Sequence, residues 1–201
     1  MGDDVIVKMV RLSSWVSAPN DAENIETREV YALAGLALYQ AQCLEHEIVN
    51  SLGLAAILPF WTTTKRPQTR AEYMAYVDSV WDENYERTLG QLLHSLRQIG
   101  IAIPPALDSL LRQSLEKRNR LVHRYFRERA NDWFTSEGRR SLADELNGMA
   151  ELFRKADHAL HEVTSKARSA IGITEQTITA VAQIMAENGS DEEIDKVLSK
   201  R

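Results

Sequence analysis

The chain has 201 residues and a formal net charge of −5, which excludes a protein that coats nucleic acid through its overall field. No stretch approaches the roughly 18 consecutive apolar residues of a membrane helix, and no basic start leads into an apolar segment, so the expected compartment is the cytoplasm. The single cysteine, Cys43, excludes an internal disulfide and reads as a small buried hydrophobe beside Leu44.

Nine glycines and five prolines are few for this length, and the prolines fall between periodic segments, so the expected class is all-α. Residues 1–20, with Val5, Ile6, Val7, Met9, Val10 and Trp15, suit a short strand, a packed arm or a partner-binding lead. A first long helix is predicted from Asn20 or Asp21 to Leu52, its stripe formed by Val30, Ala34, Ala37, Ala41, Leu44 and Ile48. Small residues on that face permit close helix packing. The segment Ala55–Gln68, with Pro59, Phe60 and Trp61, reads as a long aromatic connector whose Trp61 covers the core rather than stacking on a base.

A second helix is predicted from Thr69, three residues before Glu72 as in a capping box, through Leu96 and Ile99. Gly90 or the Asp82-Glu83-Asn84 cluster is the place for a bend. Gly100–Pro104 closes that helix and Pro105 opens a third. A fourth begins between Thr135 and Ser141 and runs to about Ser165 on Leu142, Leu146, Leu152, Ala156, Leu160 and Val163. Four long helices in succession predict an antiparallel four-helix bundle over 21–167, preceded by an arm over 1–20. The extension 168–201 reads as two short helices parted at Gly189, the second with the capping box Ser190-x-x-Glu193. It suits docking on the bundle, exchange with a partner subunit, or fraying.

The third helix carries the chemistry. Its run Arg118-Asn119-Arg120-Leu121-Val122-His123-Arg124-Tyr125-Phe126 puts an arginine, an amide and an imidazole within two turns. With about 100° per residue and Arg118 at zero, Leu111, Leu115, Val122 and Phe126 fall at roughly 20–80°, the expected core side. Asn119 and His123 share the adjoining side at about 100–140°. Arg118 at the edge of a core stripe needs partners or a cleft, because a desolvated guanidinium must recover its hydration. Around it stand Arg112, Lys117, Arg120, Arg124, Arg127 and Arg129 against Glu116 and Glu128. This local basic ridge suits a grip on a few phosphates, with Lys117, Arg120, Arg124 and Arg127 as the RNA-binding candidates. The same charges also suit a solvated face of i,i+4 pairs, Glu116 with Arg120 and Arg124 with Glu128.

RNA cleavage by transesterification needs a base for the 2′-hydroxyl, an acid for the leaving 5′-oxygen and positive charge on the phosphorane. Imidazole, with a reference pKa of about 6.5, serves either proton-transfer role near neutrality, so His123 is the candidate. Arg118 supplies a planar fork for phosphate oxygens, and Asn119 holds an oxygen or orients the imidazole. One chain has one imidazole in such a setting, so acid and base come from two copies, which points to a homodimer.

Arg118-x4-His123, with Tyr125 two residues on, resembles the R-x4-H-x-Y signature of the HEPN superfamily, closest to HepT-like ribonuclease toxins. The resemblance covers about 30–165 by architecture and 115–127 by motif, and leaves both terminal segments unexplained. It implies a HEPN-like bundle acting as a homodimer and metal-independent endoribonuclease in toxin–antitoxin or phage-defence systems. Catalysis would rest on Arg118, Asn119 and His123, without cofactor, yielding a 2′,3′-cyclic phosphate and a 5′-hydroxyl. It also implies that Tyr125 is adenylylated by a nucleotidyltransferase-type antitoxin, whose added charge would block phosphate binding. A second reading of the same residues is a non-catalytic module that binds a nucleotide or RNA, or builds a dimer interface. The other histidines carry less: His46-Glu47 and His161-Glu162 each lack the second histidine of a zinc motif, His158 and His161 make two ligands at most, and His94 reads as polar-face.

Overall fold

The computed structural model describes residues 22–62, 70–99, 102–170, 174–187 and 190–198. Every regular element among them is helical: α1 (Ala22–Thr62), α2 (Arg70–Tyr85), α3 (Leu89–Leu96), α4 (Pro105–His123), α5 (Tyr125–Glu128), a 3-10 turn (Ala130–Phe134), α6 (Ser136–Ala170), α7 (Glu175–Ala186) and α8 (Asp191–Leu198). The chain is all-α, and no helix among the described residues is long and apolar enough to cross a membrane. The expectations for residues 1–20 and for Thr69 as a cap lie outside the described residues, as does the side chain of Trp61.

Two compact units divide the chain, and α1, α4 and α6 each contribute a segment to both. One unit takes the chain up to Ala41 together with Glu116–Phe153. Its core joins Val30, Ala37 and Ala41 of α1 to Leu121 and Tyr125, and to Leu142, Leu146, Met149, Ala150 and Phe153 of α6. Alanines on the inner side of α1 let the helices approach closely. Thr135 caps α6 by accepting from the Gly138 amide at 3.0 Å. Glu26 of α1 holds the same helix start: Ser136 donates to its carboxylate, and Arg139 Nε donates to it at 2.9 Å. The Arg139 side chain is buried and also donates to the Trp133 carbonyl at 2.8 Å, so its desolvated charge is met on two sides.

The other unit takes Gln42–Leu115 and the chain from Arg154 onward. Leu44, Ile48, Val49 and Leu52 of α1 pack there with Leu89, Leu92, Leu93 and Leu96 of α3, Leu107 and Leu111 of α4, and Ala156 and Leu160 of α6. Gly53 is required by contact: a Cβ there would overlap the Trp81 indole. A polar knot closes its α1–α6 contact, where Glu47 accepts from Thr164 Oγ1 at 3.0 Å and from Arg168 at 3.3 Å. In the tail, Ser190 and Glu193 cap α8 reciprocally, at 2.8 and 3.4 Å.

Three expectations about elements are corrected. The first helix does not stop near Leu52 but runs through Pro59 to Thr62. Proline lacks only one N–H, and in a last turn that loss is confined to a single carbonyl. The predicted second helix is two, α2 and α3, parted at Glu86-Arg87-Thr88. There Thr88 and Gln91 form a full capping box, and Arg87 donates to Ser95 Oγ at 3.1 Å. The predicted third helix ends at His123 instead of continuing through Phe126, because Arg124 leaves helical geometry at φ −137°, ψ −25°.

Candidate functional site

The helix α4 opens at Pro105, whose ring presets the first turn, and its buried positions follow a 4–3 rhythm: Leu107, Leu111, Ser114, Leu121 and, across the kink, Tyr125. Arg118 occupies the vacant beat in that rhythm. It is half-buried and has a partner, so it stands within the inward seam rather than at its edge. The core side is accordingly rotated from the predicted one. Val122 and Phe126, expected inside, are exposed, while Leu121 and Tyr125 are buried.

The exchange of Phe126 for Tyr125 follows the same rotation, since Leu121 and Val122 have already traded places before the kink at Arg124. Tyr125 keeps the beat of the seam across the kink, and its hydroxyl donates to the Leu142 carbonyl at 3.2 Å. Burial, with the Glu145 carboxylate nearby, pushes the Tyr125 phenol far above its ordinary pKa. The Arg120 guanidinium lies 5.2 Å from the centre of the Tyr125 ring, in cation–π range. Transfer of a nucleotide onto Tyr125 would first require this hydroxyl to leave the core.

Asn119 and His123 lie one turn apart on the exposed side of α4, with Cβ atoms about 6 Å apart by helix geometry. Arg118 lies about 100° away from Asn119 around the same helix. The motif therefore gathers the amide and imidazole on one open face and sets the arginine on the neighbouring, half-closed one. A phosphate held by all three would lie across the end of α4, near the place where the chain turns.

The basic ridge is largely paired. Arg120 Nε donates to Glu128 at 2.8 Å, and its terminal nitrogen donates to Glu145. Glu128 also stands 3.8 Å from Arg124. Arg129 lies 3.0 Å from Asp132 and 3.5 Å from Glu145, and Arg112 donates to Asp108 at 2.7 Å. These bonds hold the Glu128 carboxyl below the usual range, first through the hydrogen bond from Arg120. Of the sequence candidates for RNA binding, Arg120 is thus built into the fold, Lys117 is half-buried, and Arg124 and Arg127 remain exposed. The pair predicted between Arg124 and Glu128 is present, whereas Arg120 turns to Glu128 and Glu145.

The remaining histidines are dispersed. His46 meets the Tyr85 ring edge-on at 5.5 Å, and His94 lies 3.0 Å from the Gln98 amide. His158 faces Glu162 at 3.6 Å, while His161 faces Glu47 at 3.5 Å and Arg168 at 2.9 Å. Among the described residues no group of three or more His, Cys, Asp or Glu side chains gathers as metal ligands do.

Sequence reasoning missed an aromatic cluster next to the motif. The Phe126, Tyr31 and Trp133 rings lie 5.1–6.2 Å apart, with Phe126 three residues beyond His123. The available signal was the absence of any charged residue from Val30 to Leu44, too apolar for a helix with one side in water. No protein-family model, no curated protein and no solved structure matches this chain.

Proposed function

We propose that the chain is a metal-independent endoribonuclease of HEPN type, a four-helix HEPN-like bundle that works as a homodimer. The observation that supports this most is the exposed pair Asn119 and His123 at the end of α4, with Arg118 on the adjoining face. In this reading one His123 takes the proton of a 2′-hydroxyl, whose oxygen attacks phosphorus. The phosphorus–5′-oxygen bond breaks, and the second copy's imidazole returns a proton to the leaving oxygen. Arg118 offsets the charge that grows on the phosphorane, and Asn119 holds one of its oxygens. The products are a 2′,3′-cyclic phosphate and a 5′-hydroxyl.

A role as a cytoplasmic toxin or phage-defence effector, and adenylylation of Tyr125 by a nucleotidyltransferase-type antitoxin, belong to the same proposal. The buried Tyr125 hydroxyl adds a condition: the partner acts when the segment after Arg124 is displaced. A non-catalytic RNA- or nucleotide-binding module is the second reading, favoured by the pairing of Arg120, Arg124 and Arg129 with carboxylates.

The test is cleavage of single-stranded RNA by the purified chain in EDTA. His123→Ala is expected to lower the single-turnover rate by about 100-fold or more, because it removes general acid–base catalysis. Its melting temperature should not move, since the imidazole is exposed. Equal cleavage by the variant sinks the assignment, and RNA binding without cleavage by the parent chain selects the second reading.

A further inference from the structure

We propose that the outer face of α1, continued over Phe126 and Val122 beside His123, is the surface through which two copies of this chain associate. Between Val30 and Leu44 the helix has no charged residue. Its inner side is covered, with Val30, Ala37 and Ala41 buried, yet its outer side is open. Tyr31, Leu36, Leu38 and Tyr39 are 42, 42, 43 and 59 % exposed, and Val122 and Phe126 add 46 and 37 %. An outer side with only Gln40 and Gln42 as side-chain amides among its large apolar residues is ordinarily covered by a partner.

The area is right for a dimer. Those six side chains leave roughly 500 Å² of mostly apolar surface open, at the upper end of what a monomer shows in one patch. A polar rim around that patch supplies the rest of the roughly 800 Å² that each partner of a standard interface contributes. Ala32 and Gly35 lie between the large residues, and a Cβ added at Gly35 would meet nothing within 4 Å, which leaves room for an incoming side chain.

The chemistry selects the occupant. An RNA strand seeks cations and finds none on this run of α1. A second copy brings the same uncharged face, and a two-fold axis lays apolar surface on apolar surface without any further complementarity. The face reaches Phe126 through the Tyr31 ring, 6.2 Å away, so it ends next to His123. Where the two-fold axis passes beside Phe126, the same association brings the two imidazoles together, and that consequence rests on the ribonuclease reading above.

Sedimentation velocity of the full chain at micromolar concentrations provides the test. The parent chain is expected to sediment at twice its own mass. Leu38→Glu combined with Tyr39→Glu is expected to weaken association by about 100-fold, since each carboxylate would be desolvated in the interface. Far-UV circular dichroism should be unchanged, because neither side chain belongs to the buried core. If the double variant loses helix, Tyr39→Ser, which adds no charge, is expected to weaken association about 10-fold. A parent chain that stays monomeric throughout overturns the inference, as does a folded variant that dimerises as before; RNA or residues 1–20 would then be what covers the face. RNA cleavage is a separate readout. An inactive dimer that the glutamates dissociate upholds this interface and counts against the ribonuclease, and an active monomer does the reverse.

Discussion

Arg120 and Arg127 are seven residues apart and look alike in sequence, yet their surroundings divide them. Arg120 meets two carboxylates and an aromatic ring, whereas Arg127 is exposed. Arg120→Ala should therefore cost about 1–2 kcal/mol of stability, the range for hydrogen bonds to charged groups partly screened by water. Arg127→Ala should leave the melting temperature unchanged and, on the ribonuclease reading, weaken RNA binding severalfold with a shallower salt dependence. Chemical denaturation and RNA titration of both variants check the division. Loss of binding without loss of stability in Arg120→Ala would return that residue to the RNA surface. The sequence places both arginines on a basic helix but does not show that Glu145 reaches Arg120 from α6, because a partner 25 positions away follows from packing, not spacing.

At the scale of elements, the informative junction is the turn into α6. Thr135 caps the helix, and Gly138 packs directly on the backbone of Asp132, where a Cβ would overlap the carbonyl and Cα. Gly138→Ala should therefore cost about 1–3 kcal/mol, since the 3-10 turn must shift to admit a methyl group. Gly148→Ala on the same helix meets nothing within 4 Å and should stabilise by about 0.5–1 kcal/mol, the ordinary gain over glycine in a helix interior. Thermal melts of the two variants give opposite signs if Asp132 is the cause. Element boundaries were legible where a cap states them locally: Pro105 starts α4, and Ser190 with Glu193 starts α8. The Thr88-x-x-Gln91 box was equally present, but the leucines of α3 continue an apolar rhythm that reads as one long helix. The kink at Arg124 had no local signal, since neither glycine nor proline stands there.

For the molecule as a whole, each unit has its own apolar core and its own set of carboxylates held by arginines or hydroxyls. Glu26 is held below the usual carboxyl range first by the Ser136 hydroxyl, Asp108 by Arg97 and Glu128 by Arg120. A carboxyl whose pKa is lower in the folded chain than in the unfolded one stabilises above the unfolded value, about 4, and the contribution vanishes as pH falls through the folded value. The melting temperature should thus fall progressively below about pH 4–5. Asp108→Asn should melt lower than the parent at neutral pH, and the two curves should converge in acid; a constant gap would remove Asp108 from this account. Asp157 has the opposite sign, because burial and then the Glu47 charge raise its pKa, so Asp157→Asn should raise the melting temperature at neutral pH. By itself the sequence determined the helical class, the spacing of the buried stripe of α1, the positions Leu142, Leu146, Ala156 and Leu160 on α6 though not Met149 and Phe153 between them, and the one-turn separation of Asn119 from His123, all consequences of the 3.6-residue period. Only the tertiary structure decided that Arg118 stands in an inward seam, that Tyr125 is buried in place of Phe126, that Arg120 is enclosed by carboxylates, and that the outer face of α1 is open. Those outcomes depend on which distant surfaces meet, and the free energy of burying one face over another is set by the neighbours it finds.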